Sequence, residues 1–103
     1  MRSRASILYE DLLVVRAMYA AARARHHRRG GRGFSRSAAA QLDINHHRRL
    51  LSLASVRLAE AQAEGSVLDE AGVRLARSIA RGRIKNDLQA DRARPCLCHA
   101  CPA

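Results

Sequence analysis

An all-α fold, a small three-helix bundle running up, down and up, is what this chain predicts, and three observations predict it. Apolar residues recur at spacings of three and four rather than in alternation. Alanine carries much of the apolar content, and alanine favours helix more than it builds core. Glycines stand where the helical runs stop, at Gly30 and Gly31 and again at Gly65. Connections this short make neighbouring helices antiparallel, so the 103 residues form one domain, over 1–90, followed by a flexible cysteine-bearing tail over 91–103.

The first helix is expected over 6–29. Ser6 can cap it, Glu10 and Asp11 lie near its positive end, and Leu8, Leu12, Val15, Tyr19 and Ala22 form one apolar stripe. The second is expected over 37–64, with Leu42, Leu50, Leu53 and Val56 as its apolar face and Gly65 as its stop. A third, over 66–89, opens at Ser66 with Asp69 three residues on, which resembles a capping box. It carries Leu68, Leu75 and Ile79 on one side and Val73, Ala80 and Ile84 on another, with Gly72 and Gly82 as weak points. Pro95 keeps the tail out of any helix.

Charge narrows the function. There are 19 Lys and Arg against 9 Asp and Glu, a formal net charge of +10, and Lys85 is the only lysine. Arginine binds phosphate with a rigid fork that lysine lacks. The word His-His-Arg-Arg occurs at 26–29 and again at 46–49, and Asp43 is the only acid from Arg23 to Arg49. In an up-down-up bundle both words fall at one pole, with Arg23 to Arg36 and Arg77 to Lys85 at or toward it, opposite an acidic pole holding Glu10, Asp11, Glu60, Glu64, Asp69 and Glu70. Such a pole calls for a polyanion, and nucleic acid is the expected partner. Arg25, Arg28, Arg29, Arg32 and Arg36 are the expected phosphate contacts. With Tyr9, Tyr19 and Phe34 as the whole aromatic complement, stacking on single strands is disfavoured, so duplex DNA is expected ahead of structured RNA.

The run from Gly33 through Ala38, Ala39, Leu42, Ile44 and Asn45 resembles the helix-turn-helix of the factor-for-inversion-stimulation type, over residues 33–53. Small alanines let two helices cross closely, and Leu and Ile fill the crossing. The resemblance implies a turn at 43–45 that breaks the second helix. It also implies that Asn45, His46, His47, Arg48 and Arg49 open a recognition helix in the major groove, the act of a transcription regulator. Two residues depart from the pattern: Asp43 replaces the turn glycine, and Arg49 stands where an apolar residue belongs. Without the turn, 37–64 is one helix with Asp43 on its wet face, and phosphate binding outlives base reading. The run from His46 to Leu53 also resembles the basic helix of a small bacterial ribosomal-subunit protein, which keeps RNA as a partner.

Cys96, Cys98, His99 and Cys101 put four soft ligands within six positions. Structural zinc sites draw ligand pairs from separated elements, so no metal or other cofactor is expected here. Flanking arginines repel a metal cation from the paired histidines, whose expected role is extra donation to phosphate. No nucleophile and base share a recognisable spacing, so a non-enzymatic protein is expected. No run of about eighteen apolar residues occurs, no membrane is expected to be a partner, and the cytoplasm is the expected location. The alternative is a helical interaction subunit whose alanine-rich faces bind a protein partner or a second copy.

Overall fold

A computed structural model describes residues 2–27 and 38–93. They form three helices, α1 (Arg4–His27), α2 (Ala38–Ala63) and α3 (Glu70–Asp91), with no strand among the described residues. The up-down-up order holds. Near one end Arg4 of α1 meets Glu64 at the foot of α2, and near the other Arg25 of α1 meets Asp43 of α2 and Asp91 of α3. The expected tail begins later than 91, since α3 runs to Asp91; residues 94–103, with Cys96, Cys98, His99 and Cys101, lie beyond the described residues, as do Arg28, Arg29, Arg32 and Arg36.

The helix ends are set by side chains other than those expected. Ser3 rather than Ser6 caps α1, its Oγ accepting from the Ser6 N–H at 3.0 Å. Ser66 does not open α3: its Oγ accepts from the Ala5 N–H at 2.8 Å and satisfies a second free donor of α1. Asp69 caps α3 instead, accepting from Gly72 N–H at 2.7 Å, so the helix begins four residues later than the capping-box reading places it. Gly65 ends α2 as expected. It adopts φ 97°, a left-handed value that suits glycine, and the N–H of Ser66 returns to the Ala61 carbonyl at 2.9 Å.

α1 lies in the middle. It packs on α2 and on α3, and no Cα of α2 comes within 8 Å of a Cα of α3. On the α2 side α1 presents Ala5, Leu8, Leu12, Val15, Tyr19, Ala22 and His26, spaced alternately by three and four. The expected α1 stripe is contained in this set. α2 answers with Ala40, Ile44, His47, Leu51, Ala54, Leu58 and Ala61 at the same alternation. Ala5, Leu12, Ala54 and Leu58 form the centre, joined by Leu8, Tyr9, Leu51 and Leu68.

The inner face of α2 is therefore not the expected one. Leu42, Leu50, Leu53 and Val56 are all exposed, Leu42 by 62%. Alanines win the seam because small side chains let two straight helices approach closely along their length, and the larger leucines are left on the outer faces. On the α3 side α1 comes close at Gly72. A Cβ there would meet the Ser6 Cβ at 3.4 Å, and Ser6 Oγ donates to the Gly72 carbonyl at 3.0 Å. Of the two expected sides of α3 the one with Ala80 turns inward, beside Ala76, while Leu75 is exposed.

Candidate nucleic-acid interface

α2 runs through 43–45 without a break. The turn that the helix-turn-helix resemblance requires is not formed there, and Asp43 lies within the helix. It is neither a turn residue nor on the wet face. Its carboxylate accepts from the Arg25 guanidinium and lies 2.9 Å from His26 Nε2. Burial pushes this carboxyl up, but hydrogen bonds from His26 and Arg25 and the charge of Arg25 outweigh it, bringing its pKa down to about 2. Arg25 also donates to Asp91 of α3, so one guanidinium joins all three helices. Two terminal nitrogens are used in this way, while its buried Nε has no acceptor among the described residues.

The two His-His-Arg-Arg words consequently divide. His26 is fully buried beside Asp43. His47, 9% exposed, faces inward with Nδ1 2.8 Å from the Asp43 carbonyl oxygen. Of the expected contacts, then, Arg25 and His47 are turned inside: Arg25 ties the three helices together, and His47 bonds back to Asp43 within α2. His46, Arg48 and Arg49 are exposed. Asn45 is half-buried, its Oδ1 accepting from Gln41 Nε2 at 3.1 Å along the same helix.

The poles expected from the charge sequence form only in part. Arg83 reaches from α3 to Glu10 and Asp11, and Arg2 donates to Glu10 at 2.6 Å, so these acids are neutralised where they stand. Burial pushes the Glu10 carboxyl up, and the hydrogen bonds from Arg2 and Arg83 override it, holding the pKa below the ordinary carboxylate value. The same contacts, led by the hydrogen bond to Asp11, raise Arg83. Of the basic residues of α3, Arg83 thus serves the acids of α1, while Arg77, Arg81 and Lys85 stay exposed.

Exposed cations remain on α3, at Arg77, Arg81, Lys85 and Arg92, at Arg57 of α2, and along one flank of the α1–α2 seam. On the flank nearer α3, seven-residue steps give Arg4, Asp11, Met18 and Arg25 on α1, against Asp43, Leu50, Arg57 and Glu64 on α2. Cations and acids alternate there, and they pair as Arg4 with Glu64 and Arg25 with Asp43. On the opposite flank the same steps give Tyr9, Arg16 and Arg23 on α1, against Gln41, Arg48, Ser55 and Gln62 on α2. This flank contains no acid. Its arginines are gathered around Tyr19: the Arg23 guanidinium lies over the ring, 5.6 Å from its centroid, and Arg48 Nε donates to the phenol oxygen at 3.4 Å. That hydrogen bond, ahead of the opposing effect of burial, lowers the Tyr19 pKa.

Arg16 and Arg23 were not singled out from the sequence. The signal that locates them is the seven-residue register with Tyr19, which becomes visible only when Ala22 and His26 are known to face α2. Arg49 lies on the outer surface of α2 beside this flank and has no ion-pair partner among the described residues. Those residues contain no group of three His, Cys, Asp or Glu side chains arranged to hold a metal ion, and no helix long and apolar enough to cross a membrane. In comparisons with known proteins the chain matches no family model, no curated protein and no solved structure.

Proposed function

We propose that this protein binds duplex DNA, or RNA with duplex structure, through backbone phosphates and without reading base edges. The observation that carries the reading is the acid-free flank of the α1–α2 seam, where Arg16, Arg23 and Arg48 line an edge that α3 leaves open. Tyr19 restricts Arg23 and Arg48 before any ligand arrives, which lowers the entropy cost of aligning their forks with phosphate. Arg49, exposed on the outer surface of α2, borders this flank, whereas His46 lies on the far side of the helix with Leu50 and Leu53. Arg28, Arg29, Arg32 and Arg36, which follow α1 and precede α2 in the chain, lie outside the described residues and add to the positive charge of that stretch of sequence.

An unbroken α2 favours this mode over base recognition. A straight helix pair offers a rod along which phosphates can be spanned, whereas major-groove reading needs a helix end thrust outward from its neighbour. On this reading the protein is a non-enzymatic nucleic-acid binder of the cytoplasm, and any regulatory effect comes from occupancy rather than from choice of sequence.

The test is fluorescence anisotropy with an arbitrary 24-base-pair duplex across a salt series. Affinity should fall with salt on a logarithmic slope near 0.9 per phosphate neutralised. Replacing Arg16, Arg23 and Arg48 together by Ala should flatten that slope by about 2 to 3. It should leave the unfolding free energy within about 0.5 kcal/mol of the parent, as surface substitutions do. Binding that ignores salt, or a slope unchanged in the triple variant, would overturn the proposal.

A further inference from the structure

On the other side of the molecule the three helices leave a groove. Because α2 and α3 do not touch, the flank of α1 between them forms a floor. Leu8, Asp11 and Val15 lie at the bottom; Leu50, Leu53 and Arg57 form the α2 wall, and Arg83 of α3 reaches across the opposite edge. Leu53 is 44% exposed and Leu50 38%, with Val56 exposed beyond them. Apolar side chains in adjacent turns of one helix, left open over a shared floor, are the surface that a packed fourth helix covers.

Charge selects the occupant. Arg57 has no ion-pair partner among the described residues, and Arg49 stands just outside the leucines with none either. Asp11, the acid in the groove, is bound by Arg83 at 2.7 Å. The rim is therefore cationic with its one acid already satisfied. A second copy of the chain fits poorly: two α2 helices packed antiparallel about the leucines would bring Arg49 against Arg49, in a molecule already at +10. We infer that this groove receives an acidic amphipathic helix of a partner protein, whose apolar stripe covers Leu50 and Leu53 and whose carboxylates meet Arg57 and Arg49. Leu50, Leu53 and Arg57 lie apart from Arg16, Arg23 and Arg48 of the phosphate-binding flank, and Arg49, on the outer surface of α2, borders both.

The probe is a synthetic 21-residue helix with leucines at three- and four-residue spacing and glutamates on both sides of the stripe, titrated into the full chain by calorimetry. The acidic peptide should bind, and a version with lysine for glutamate should not. Leu53→Asp and Arg57→Glu should each weaken binding at least tenfold. Both positions are exposed, and circular dichroism should report an unchanged helix content in each variant. The triple Ala variant at Arg16, Arg23 and Arg48 should bind the peptide as the parent does, even if duplex binding proves absent.

Three results overturn the inference. One is peptide binding indifferent to Leu53→Asp and Arg57→Glu, or no binding at all. Another is sedimentation showing a homodimer that Leu53→Asp dissolves, which makes the occupant a second copy. The last is Leu53-dependent sedimentation with phosphatidylglycerol vesicles in place of peptide binding, which makes it a lipid surface.

Discussion

Along one flank of the α1–α2 seam Arg4 meets Glu64 and Arg25 meets Asp43; along the other Arg16, Arg23 and Arg48 meet no carboxylate. Both flanks are built on the same seven-residue step and the same cation. What separates them is α3, which lies toward the first flank and brings Asp91 to Arg25 and Arg83 to Asp11. A buried arginine without an acid is costly, so at Arg25, 6% exposed, the sequence supplies Asp43 and Asp91. Arg16, Arg23 and Arg48 stay in water with no carboxylate among the described residues, and their charge is left for a ligand. The same arginine is thus a clasp on one side and a contact on the other, according to the solvent left around it.

The sharpest way to break this contrast is to remove the acid that the buried flank depends on. Asp43→Ala leaves the Arg25 guanidinium, 6% exposed, and the enclosed His26 beside an emptied site. The expected loss is about 3 kcal/mol of unfolding free energy, as for breaking a buried pair from one side. In a domain of this size that lowers the melting temperature by roughly 10 to 20 °C. Arg48→Ala, on the open flank, should fall within about 0.5 kcal/mol of the parent. Urea unfolding of the two variants decides the matter, and equal costs would remove the distinction between the flanks.

Much of the fold was legible in the sequence because helix number, order and polarity depend on local signals: the α1 stripe, the Gly65 stop and short connections. The inner face of α2 was not. Leu42, Leu50, Leu53 and Val56 are the conspicuous apolar residues, and hydropathy alone puts them inside. The seam instead selects Ala40, Ala54 and Ala61 for closeness and accepts His47 because the Asp43 carbonyl is in reach of its ring nitrogen. Asp43 was misplaced for a related reason. A lone acid in a basic run reads as a turn or a solvated residue until Arg25, 18 positions earlier, is known to lie opposite it. The candidate interface suffered in turn, since Arg25 and His47 carry the right chemistry and face the wrong way.

Acid provides a finer probe of the same clasp. The folded pKa of Asp43, about 2, lies below the ordinary aspartate value of 3.8, so the ionised form is favoured by folding. A depressed pKa contributes stability that is fully present above the unfolded value. That stability is lost as pH falls from about 4 toward 2. The shift corresponds to on the order of 2 kcal/mol. Glu10 contributes in the same direction, so the informative quantity is the difference between the parent and Asp43→Asn, measured by urea unfolding at intervals from pH 5 to pH 2. The two curves should converge as pH drops. Parallel curves would mean that the Asp43 charge is not what the clasp uses.

The smallest expected effect lies on the open flank and asks whether its arginines are held in place before a ligand arrives. Arg48 Nε donates to the Tyr19 hydroxyl, and Arg23 lies over the ring. Both cations favour the phenolate, and the Tyr19 pKa falls below its ordinary value of 10.0. In a Tyr9→Phe background, ultraviolet absorbance during an alkaline titration follows Tyr19 alone. The midpoint should lie below 10 and should rise when Arg48 becomes Ala, while circular dichroism over the same range shows the helices intact. A midpoint that ignores Arg48 would mean that its side chain moves freely in water. Phosphate binding by this flank would then bear the full entropy cost of ordering it, and Tyr19 would have no part in shaping the interface.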